Sequence, residues 1–364
     1  MKKEPLIRVG LITRGEPELR KEENETIVSN SLIGDGFHWE KVLPLKVEGE
    51  IEMLETPQGK IHCINILPIE KYLESVAGSE MNPSAPEEFL KAHSVISRSW
   101  AYRKLYPGGE IEKPDNDFMT WEESDCHTGF NVCNDDHCQR YQGIQENAEN
   151  VISAVKKTRG EILTDKDGEV ADARFSKCCG GKTEIFSTCW ADKDFEYLQS
   201  FEDPWCDLSM MSETERHDFL NKILKNYDRP TTDFRNWEEE ISGDFISEKI
   251  KERYGMDVGE IMDIEKVSSG PSGRIKSLTI KGSRQTIEIG KELPIRRLLS
   301  NSCLYSSWFD IEKRGKMFRL TGRGWGHGVG LCQIGAARMA HEGKTYREIL
   351  EFYYPGTEIK KIYE

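Results

Sequence analysis

The densest group of side chains able to do chemistry lies between Cys126 and Cys138, where three cysteines and two histidines occur within thirteen residues. Zinc binds four nitrogen or sulfur ligands in a tetrahedron. His127, Cys133, His137 and Cys138 would supply two of each, with Cys126 as an alternative to His127. A disulfide or a free-thiol loop is the alternative to a metal. The segment predicts a metal-binding loop whose ligand set is open at one position.

A glycine-rich run near the C-terminus carries Trp325 and His327. Its sequence from Gly322 to Gly330 is GRGWGHGVG. Glycines let backbone amides approach an anion, but this spacing matches neither a dinucleotide fingerprint nor a phosphate loop. We interpret the run as a tight backbone feature that presents the two side chains to a groove. A structural histidine and a merely packed tryptophan are the alternatives.

Several function classes are excluded or disfavoured by simple features. The chain has no GxSxG elbow and no HExxH pair, so the corresponding hydrolases and metalloproteases lack support. With 64 acidic and 50 basic residues, the net charge of −14 repels polyphosphates, and we expect no nucleic-acid partner. No apolar run approaches the roughly 20 residues of a membrane-spanning helix.

The beginning of the chain does not read as a secretion signal. A charged start is followed by the apolar stretch 6–12, which is too short and too interrupted for the hydrophobic part of a leader. We therefore expect either that the protein is not secreted by this route or that the leader is absent from this sequence.

Two amphipathic helices are predicted on either side of Glu80. The first has an apolar face with helical spacing, made of Ile69, Tyr72, Leu73 and Val76. We expect Gly78 to end it, and the second helix to run from about 84 to 107. Glu80 would then lie in the connection 78–83, where a side chain can be held rigidly and still face a cleft. An ordinary surface glutamate is the alternative.

Four segments, in this order, resemble the SpoIID/LytB family of cell-wall proteins. They are the end of the first predicted helix with Ser79-Glu80-Met81, the stretch 90–101, the stretch Cys179-Gly180-Gly181-Lys182-Thr183-Glu184, and the stretch 326–336. Two departures stand out. Cys178-Cys179 occupies a place where relatives tend to have serine or threonine before the cysteine, and Leu331-Cys332 replaces a more common Met-Ser.

The resemblance implies an α+β fold, with a mixed β-rich base and a helical catalytic segment that forms a substrate cleft. It covers the chain from about residue 60, so we predict a β-rich N-terminal segment over 1–60 and a SpoIID/LytB-like domain over 61–364. Within that domain we expect the zinc loop at 115–143 and an α/β subdomain at 208–310. Residues 1–60 match no family motif.

The resemblance also implies a function. Members are peptidoglycan lytic transglycosylases acting on peptide-stripped glycan strands, and the glutamate of the SEM segment, here Glu80, is the catalytic acid and base. Some members bind zinc in a loop that corresponds to His127, Cys133, His137 and Cys138. Members named LytB are described as amidase enhancers, so a non-catalytic glycan-binding module with a cell-wall amidase as partner is an alternative. The implied location is the cell envelope. A zinc-stabilised cytoplasmic interaction domain is a further alternative.

Residues in or beside the matching motifs are candidates for substrate binding. The lactyl carboxylates of muramic acid need local cations, for which Arg98, Lys177 and Lys182 are placed. His327 and Gln333 would hydrogen-bond sugar groups, and Trp325 would stack on a sugar face. A structural ion pair is the alternative for Arg98.

Overall fold

A computed structural model describes residues 3–37, 40–55, 59, 61–106, 127–146, 148–225, 228 and 235–364. The described chain is α+β, as the resemblance predicts, with helices packed among several small sheets. None of the described helices is long and apolar enough to cross a membrane.

The N-terminal part contributes two small sheets. One has the order β5-β6-β1-β7, with strands β1 (Leu6–Leu11), β5 (Glu50–Glu55), β6 (Ile61–Pro68) and β7 (Val132–Cys133). The other is antiparallel and consists of β2 (Leu19–Lys21), β3 (Thr26–Ile33) and β4 (Lys41–Val47). Since β6 pairs with β1 and β5, one sheet spans the predicted boundary at residue 60. The division at that residue stays a prediction.

Two long helices, α1 (Ile69–Glu80) and α2 (Glu87–Leu105), form the centre of the main core. The predicted apolar face of α1 is confirmed, because Ile69, Tyr72, Leu73 and Val76 are all fully buried. The expected stop at Gly78 is wrong. Gly78 keeps helical geometry and packs closely on Gln145, whose Cγ would lie 3.1 Å from a Cβ at this position. Glu80 is therefore the last residue of α1 rather than a loop residue.

Further elements complete the main core. They are α3 (Glu149–Lys157), β8 (Glu161–Thr164), β9 (Phe175–Ser176), α4 (Phe186–Cys189), a 3₁₀ turn at Pro204–Cys206, α5 (Glu213–Ile223), β16 (Leu331–Cys332), α8 (Gln333–His341), α9 (Tyr346–Tyr353) and β17 (Glu358–Lys361). Helix α9 begins with a complete capping box between Thr345 and Glu348. Strand β16 pairs in parallel with β9, which places the start of α8 beside residues 175–176.

A second hydrophobic core lies between residues 237 and 320. Its elements are β10 (Trp237–Ser242), α6 (Gly243–Tyr254), β11 (Ile261–Ser269), β12 (Ile275–Gly282), β13 (Thr286–Gly290), α7 (Glu292–Leu298), β14 (Phe309–Arg314) and β15 (Met317–Gly322). The predicted subdomain at 208–310 overlaps this core, but Phe219 and Ile223 of α5 pack in the main core.

A buried ion pair fixes α1 against α2. Arg98 Nε and Nη2 donate to the two carboxylate oxygens of Glu70 at 2.9 and 2.8 Å. The hydroxyl of Tyr363 and the amide of Gly160 donate to the same carboxylate. Burial alone would raise the pKa of Glu70, but the guanidinium and the hydroxyl outweigh it and hold that pKa below its usual value.

We expect Arg98→Met to reduce the free energy of unfolding by about 3–5 kcal/mol, because it leaves a buried carboxylate without its partner. Urea denaturation at pH 7 measures this change. Because the pKa of Glu70 is lowered in the folded state, the contribution is complete above the unfolded value of about 4.3 and is lost as the pH falls through the folded value.

Lys166→Met is the matched control for this variant. Its ion pair with Glu196 is exposed, with side-chain exposures of 61% and 76%, so its removal should leave the free energy of unfolding almost unchanged. An Arg98 variant as stable as this control would contradict the assigned role of the buried pair.

Candidate active site and metal-binding groups

A cavity of about 210 Å³, called the cleft below, brings together segments that are far apart in the chain. The end of α1, the loop 136–140, the stretch 174–177 and the glycine-rich run all border it. Five of the predicted site residues line it, namely Glu80, Lys177, Trp325, His327 and Gln333. Two of the predicted metal ligands, His137 and Cys138, also line it.

Glu80 sits at the C-terminal end of α1 and is only 8% exposed. Its Oε1 accepts the backbone N–H of Arg140 at 3.0 Å. Burial raises the pKa of Glu80 above its usual value, and the Asp136 carboxylate acts in the same direction. The cations of Arg140 and Lys177 oppose this effect without cancelling it. A carboxyl group with a raised pKa can both donate and accept a proton near neutral pH.

The other described carboxylates of the cleft are held in ion pairs. Asp136 accepts from Arg140 at 2.6 Å, Asp228 from Lys177 at 2.9 Å, and Glu292 from Arg296 at 3.0 Å. Such pairing occupies the lone pairs of a carboxylate. Glu80 differs from these three because its hydrogen-bond donor is a backbone amide, so it is the best placed of the four to exchange a proton.

The four predicted metal ligands lie together beside the cleft. The ligand atoms of His127, Cys133, His137 and Cys138 are all within 4.8 Å of one another. His127 Nε2 is 3.2 Å from Cys138 Sγ, and His137 Nδ1 is 3.9 and 3.8 Å from the sulfurs of Cys133 and Cys138. A tetrahedral ion with metal–sulfur and metal–nitrogen bonds of about 2.0–2.3 Å needs ligand separations of about 3.3–3.8 Å. The group fits a metal ion.

The alternative ligand Cys126 lies outside the described residues, while His127 lies within the group. Strand β7 carries Cys133 and pairs in parallel with β1, and Asn134 Oδ1 accepts the amide of Ile12 at 2.7 Å. The ligand loop is thereby attached to the N-terminal sheet. Cys138 precedes Arg140 by two residues, so the loop that gathers the possible ligands also presents the amide that contacts Glu80.

Comparisons with known proteins identify relatives of this chain. Residues 57–164, which include Glu80 and the metal-ligand group, match the family model described as Stage II sporulation protein. Stage II sporulation protein D of Bacillus subtilis is 24% identical over 93% of this chain and 86% of its own. The chain belongs to the SpoIID family.

Other relatives extend this family assignment. An uncharacterised protein of Brachyspira hyodysenteriae is 30% identical over 81% of this chain and 67% of its own. The amidase enhancer of Bacillus subtilis is 23% identical over 79% of this chain and 40% of its own. Residues 184–330 match a second family model, described as a domain of unknown function (DUF8618). It covers the second core and the whole glycine-rich run.

His327 of this SpoIID-family chain is held by the backbone. Its Nδ1 accepts the amide of Val329 at 3.0 Å, and its ring packs edge-on against Trp190. Burial and the neighbouring arginines lower the pKa of His327 well below its usual value, so the ring is neutral. Trp325 is 5% exposed and packs against Tyr305, which leaves little of its ring for stacking.

Gln333 is oriented by a histidine that the sequence did not single out as a site residue. The side-chain amide of Gln333 donates to His93 Nε2 at 3.0 Å, and His93 Nδ1 contacts Ser97 Oγ. Burial, with the nearby cation of Lys177, lowers the pKa of His93 to about 3, so this ring is neutral as well. The sequence signal that could have found His93 is its position in the stretch 90–101, one of the four segments that resemble the family.

Ser176 is a second residue that sequence reasoning missed. Its Oγ is buried and has no hydrogen-bond partner among the described residues, and Ser176 lines the cleft. A buried hydroxyl without a partner is costly. A hydroxyl or an acetamido group bound in the cleft would satisfy it.

Two predicted substrate-binding residues lie elsewhere. Arg98 is fully buried in its pair with Glu70, which is the structural alternative that the sequence left open. Lys182 is 3.6 Å from Glu202 and does not line the cleft. Lys177 does line it, with Nζ donating to Asp228 and to the carbonyl of Glu80.

We expect the carboxyl group of Glu80 to titrate above the usual glutamate pKa of about 4.3, because burial disfavours its charged form. Carbon-13 NMR of the labelled glutamate carboxyls over a pH series measures this, and Glu80→Gln identifies the resonance. A resonance that titrates at or below 4.3 and disappears in this variant would contradict the expectation.

Proposed function

We propose that this protein is a lytic transglycosylase that cleaves peptide-stripped glycan strands of peptidoglycan and leaves 1,6-anhydro-muramic acid ends. Glu80 is the catalytic acid and base. The observation that carries the proposal is the position of Glu80, which is buried in the cleft with a raised pKa and accepts a hydrogen bond from a backbone amide.

A single free carboxyl group suffices for this reaction. Ordinary glycosidases need two, one to protonate the leaving oxygen and one to act as nucleophile or to activate water. In a lytic transglycosylase the C6 hydroxyl of muramic acid attacks its own anomeric carbon. Glu80 gives its proton to the departing glycosidic oxygen and then accepts the proton of the C6 hydroxyl. The ion-paired state of Asp136, Asp228 and Glu292 is consistent with one active carboxyl group.

The charge of the cleft suits an anionic glycan better than the charge of the whole chain does. The chain carries −14. Among the described residues that line the cleft, five are cationic, namely Arg140, Arg174, Lys177, Arg296 and Arg297, and four carry carboxyl groups. With Glu80 protonated the cationic groups exceed the anionic ones by two. The lactyl carboxylates of the substrate would meet this local excess.

We propose that His127, Cys133, His137 and Cys138 bind a structural zinc ion. Two thiolates and two imidazoles form a closed set of four ligands, which is typical of structural rather than catalytic zinc. Its role would be to hold the loop 133–140 in place, and with it the Arg140 amide that contacts Glu80.

The substrate assigns a place of action in the cell envelope, on the side of the membrane where glycan strands occur. The relative Stage II sporulation protein D of Bacillus subtilis is associated by its name with sporulation. We propose a comparable role in sporulation for this chain.

A second candidate function is supported by the relative named amidase enhancer. In this alternative the cleft binds glycan without cleaving it and assists a cell-wall amidase. The two functions differ in whether Glu80 is needed for bond cleavage or only for binding.

We expect Glu80→Gln to reduce cleavage of peptide-free glycan strands by about 10²–10⁴-fold, because the amide keeps the shape but has no proton to donate. Mass spectrometry of the products measures this, with the 1,6-anhydro end as the diagnostic product. Glu74→Gln is the matched control, since Glu74 lies on the same helix and pairs with Lys71, and it should retain wild-type activity.

Two outcomes would contradict the enzymatic proposal. A folded Glu80→Gln protein that cleaves at the wild-type rate would remove Glu80 from the chemistry. Binding of glycan by the wild-type protein without any cleavage, together with faster hydrolysis by an added amidase, would establish the alternative function.

Removal of the proposed zinc ion should release the loop that contacts Glu80. We expect Cys133→Ser to lose one zinc ion per chain and to speed deuterium exchange at the amide of Arg140, because the loop loses its anchor. Elemental analysis and hydrogen exchange measure the two effects. Cys63→Ser is the control, since Cys63 is a buried thiol in β6 outside the group. Unchanged zinc content in Cys133→Ser would contradict the ligand assignment.

A further inference from the structure

A second group of thiols adjoins lining residues of the cleft in the chain, and nothing in the proposed reaction uses it. It consists of Cys178 and Cys179 in the turn before Gly180, Cys206 in the 3₁₀ turn, and Cys332 at the start of α8. All four side chains are buried, with exposures between 0% and 3%. The residues come from three segments separated by up to 154 positions, yet their sulfur atoms converge.

The contacts among these sulfurs are those of a cluster rather than of a single pair. Cys206 Sγ lies 3.2 Å from Cys178 Sγ and also contacts the sulfurs of Cys179 and Cys332. Cys332 Sγ contacts those of Cys178 and Cys179. A disulfide joins two sulfurs at about 2.05 Å and would leave the other two buried thiols unexplained.

The spacing of three of these sulfurs, those of Cys179, Cys206 and Cys332, suits one tetrahedral ion. A zinc–sulfur bond of about 2.3 Å places tetrahedral sulfur ligands about 3.8 Å apart. The ligand atoms of Cys179, Cys206 and Cys332, together with a carboxylate oxygen of Asp203, all lie within 4.8 Å of one another. In an iron–sulfur cluster the four cysteines are shared among two or four iron atoms, which needs more space than this group encloses.

Backbone amides point at the sulfurs, as they do around thiolate ligands. The amide of Cys179 donates to Cys332 Sγ at 3.3 Å, and that of Gly335 in the first turn of α8 donates to the same sulfur at 3.4 Å. The amide of Gly181 donates to Cys179 Sγ at 3.4 Å. Each of these bonds, and the N-terminal end of a helix, stabilises a negative sulfur.

We propose that Cys178, Cys179, Cys206 and Cys332 bind a second zinc ion through four thiolates. The ion would join the turn 178–181, the 3₁₀ turn and the start of α8 at one point. Lys177 and Gln333, which line the cleft, directly precede and follow ligands of this site. The site would therefore fix the part of the cleft wall that carries Lys177 and Gln333.

Asp203 competes with Cys178 for the fourth ligand position. Its hydrogen bonds favour a place outside the ligand set, beside the ligands rather than on the ion. Its Oδ1 accepts the amides of Trp205 and Cys206 at 3.0 and 3.2 Å, as the N-terminal cap of the 3₁₀ turn. Its Oδ2 accepts the hydroxyl of Tyr353 at 2.9 Å. Zinc prefers thiolates when they are available, and Cys178 is in contact with two of the other three sulfurs.

The test is the zinc content of the full chain purified under reducing conditions, measured by elemental analysis together with titration of reactive thiols. We expect two zinc ions per chain in the wild-type protein. Cys332→Ser, which removes a central ligand, should contain one. Cys303→Ser, which changes a buried cysteine outside both groups, should contain two.

The wild-type count keeps the proposal testable even if a variant fails to fold. One zinc ion per wild-type chain that Cys133→Ser removes would overturn it, as would a wild-type mass two hydrogens lower because of a Cys178–Cys206 disulfide. Loss of zinc in Asp203→Asn with full retention in Cys178→Ser would overturn the four-thiolate assignment. One zinc ion that Cys332→Ser removes and Cys133→Ser does not would support this site and contradict the first.

Discussion

The buried pair of Glu70 and Arg98 is the constraint on which the rest of the architecture depends. It joins α1 to α2 in the main core, and the same carboxylate accepts the amide of Gly160 and the hydroxyl of Tyr363. A buried pair of charges costs desolvation, so it persists only where further hydrogen bonds satisfy it, as they do here. Because Glu70 lies in the first turn of α1 and Glu80 ends it, fixing that turn also fixes the position of the catalytic candidate at the other end of the helix.

The loop that carries the metal-ligand group also contacts the carboxyl group of Glu80. One amide, that of Arg140, contacts the carboxyl group. Burial raises the pKa of Glu80, the Arg140 guanidinium lowers it, and Asp136, which pairs with that guanidinium, raises it. The position of this loop therefore sets the orientation of the carboxyl group and adjusts its proton affinity. Glu80 and Arg140 lie 60 residues apart in the chain. The environment that raises the pKa of Glu80 therefore forms only when the protein folds.

Local patterns predicted those parts of the fold and the site that depend on neighbouring residues. The apolar face of α1 and the grouping of His127 with Cys133, His137 and Cys138 follow from spacing within one helix or one loop. The helix end was mispredicted, because Gly78 remains helical where Gln145 packs against it. Convergence of Cys179 with Cys332 needs the parallel pairing of β9 with β16 and has no local signature. In the sequence, this cysteine group was indicated by the departures from the family pattern at Cys178 and Cys332.

The net charges of the two proposed metal sites affect their surroundings, including the pKa of Glu80. A zinc ion with two thiolates and two neutral imidazoles has no net charge, so the first site could stabilise the loop beside Glu80 without lowering the pKa of its carboxyl group. Four thiolates around zinc leave a net charge of −2, which needs nearby cations. Arg274 is fully buried and donates to the carbonyls of Cys179 and Gly326 at 3.1 and 3.2 Å. This arginine would offset the charge and would join the cysteine turn to the glycine-rich run that carries His327.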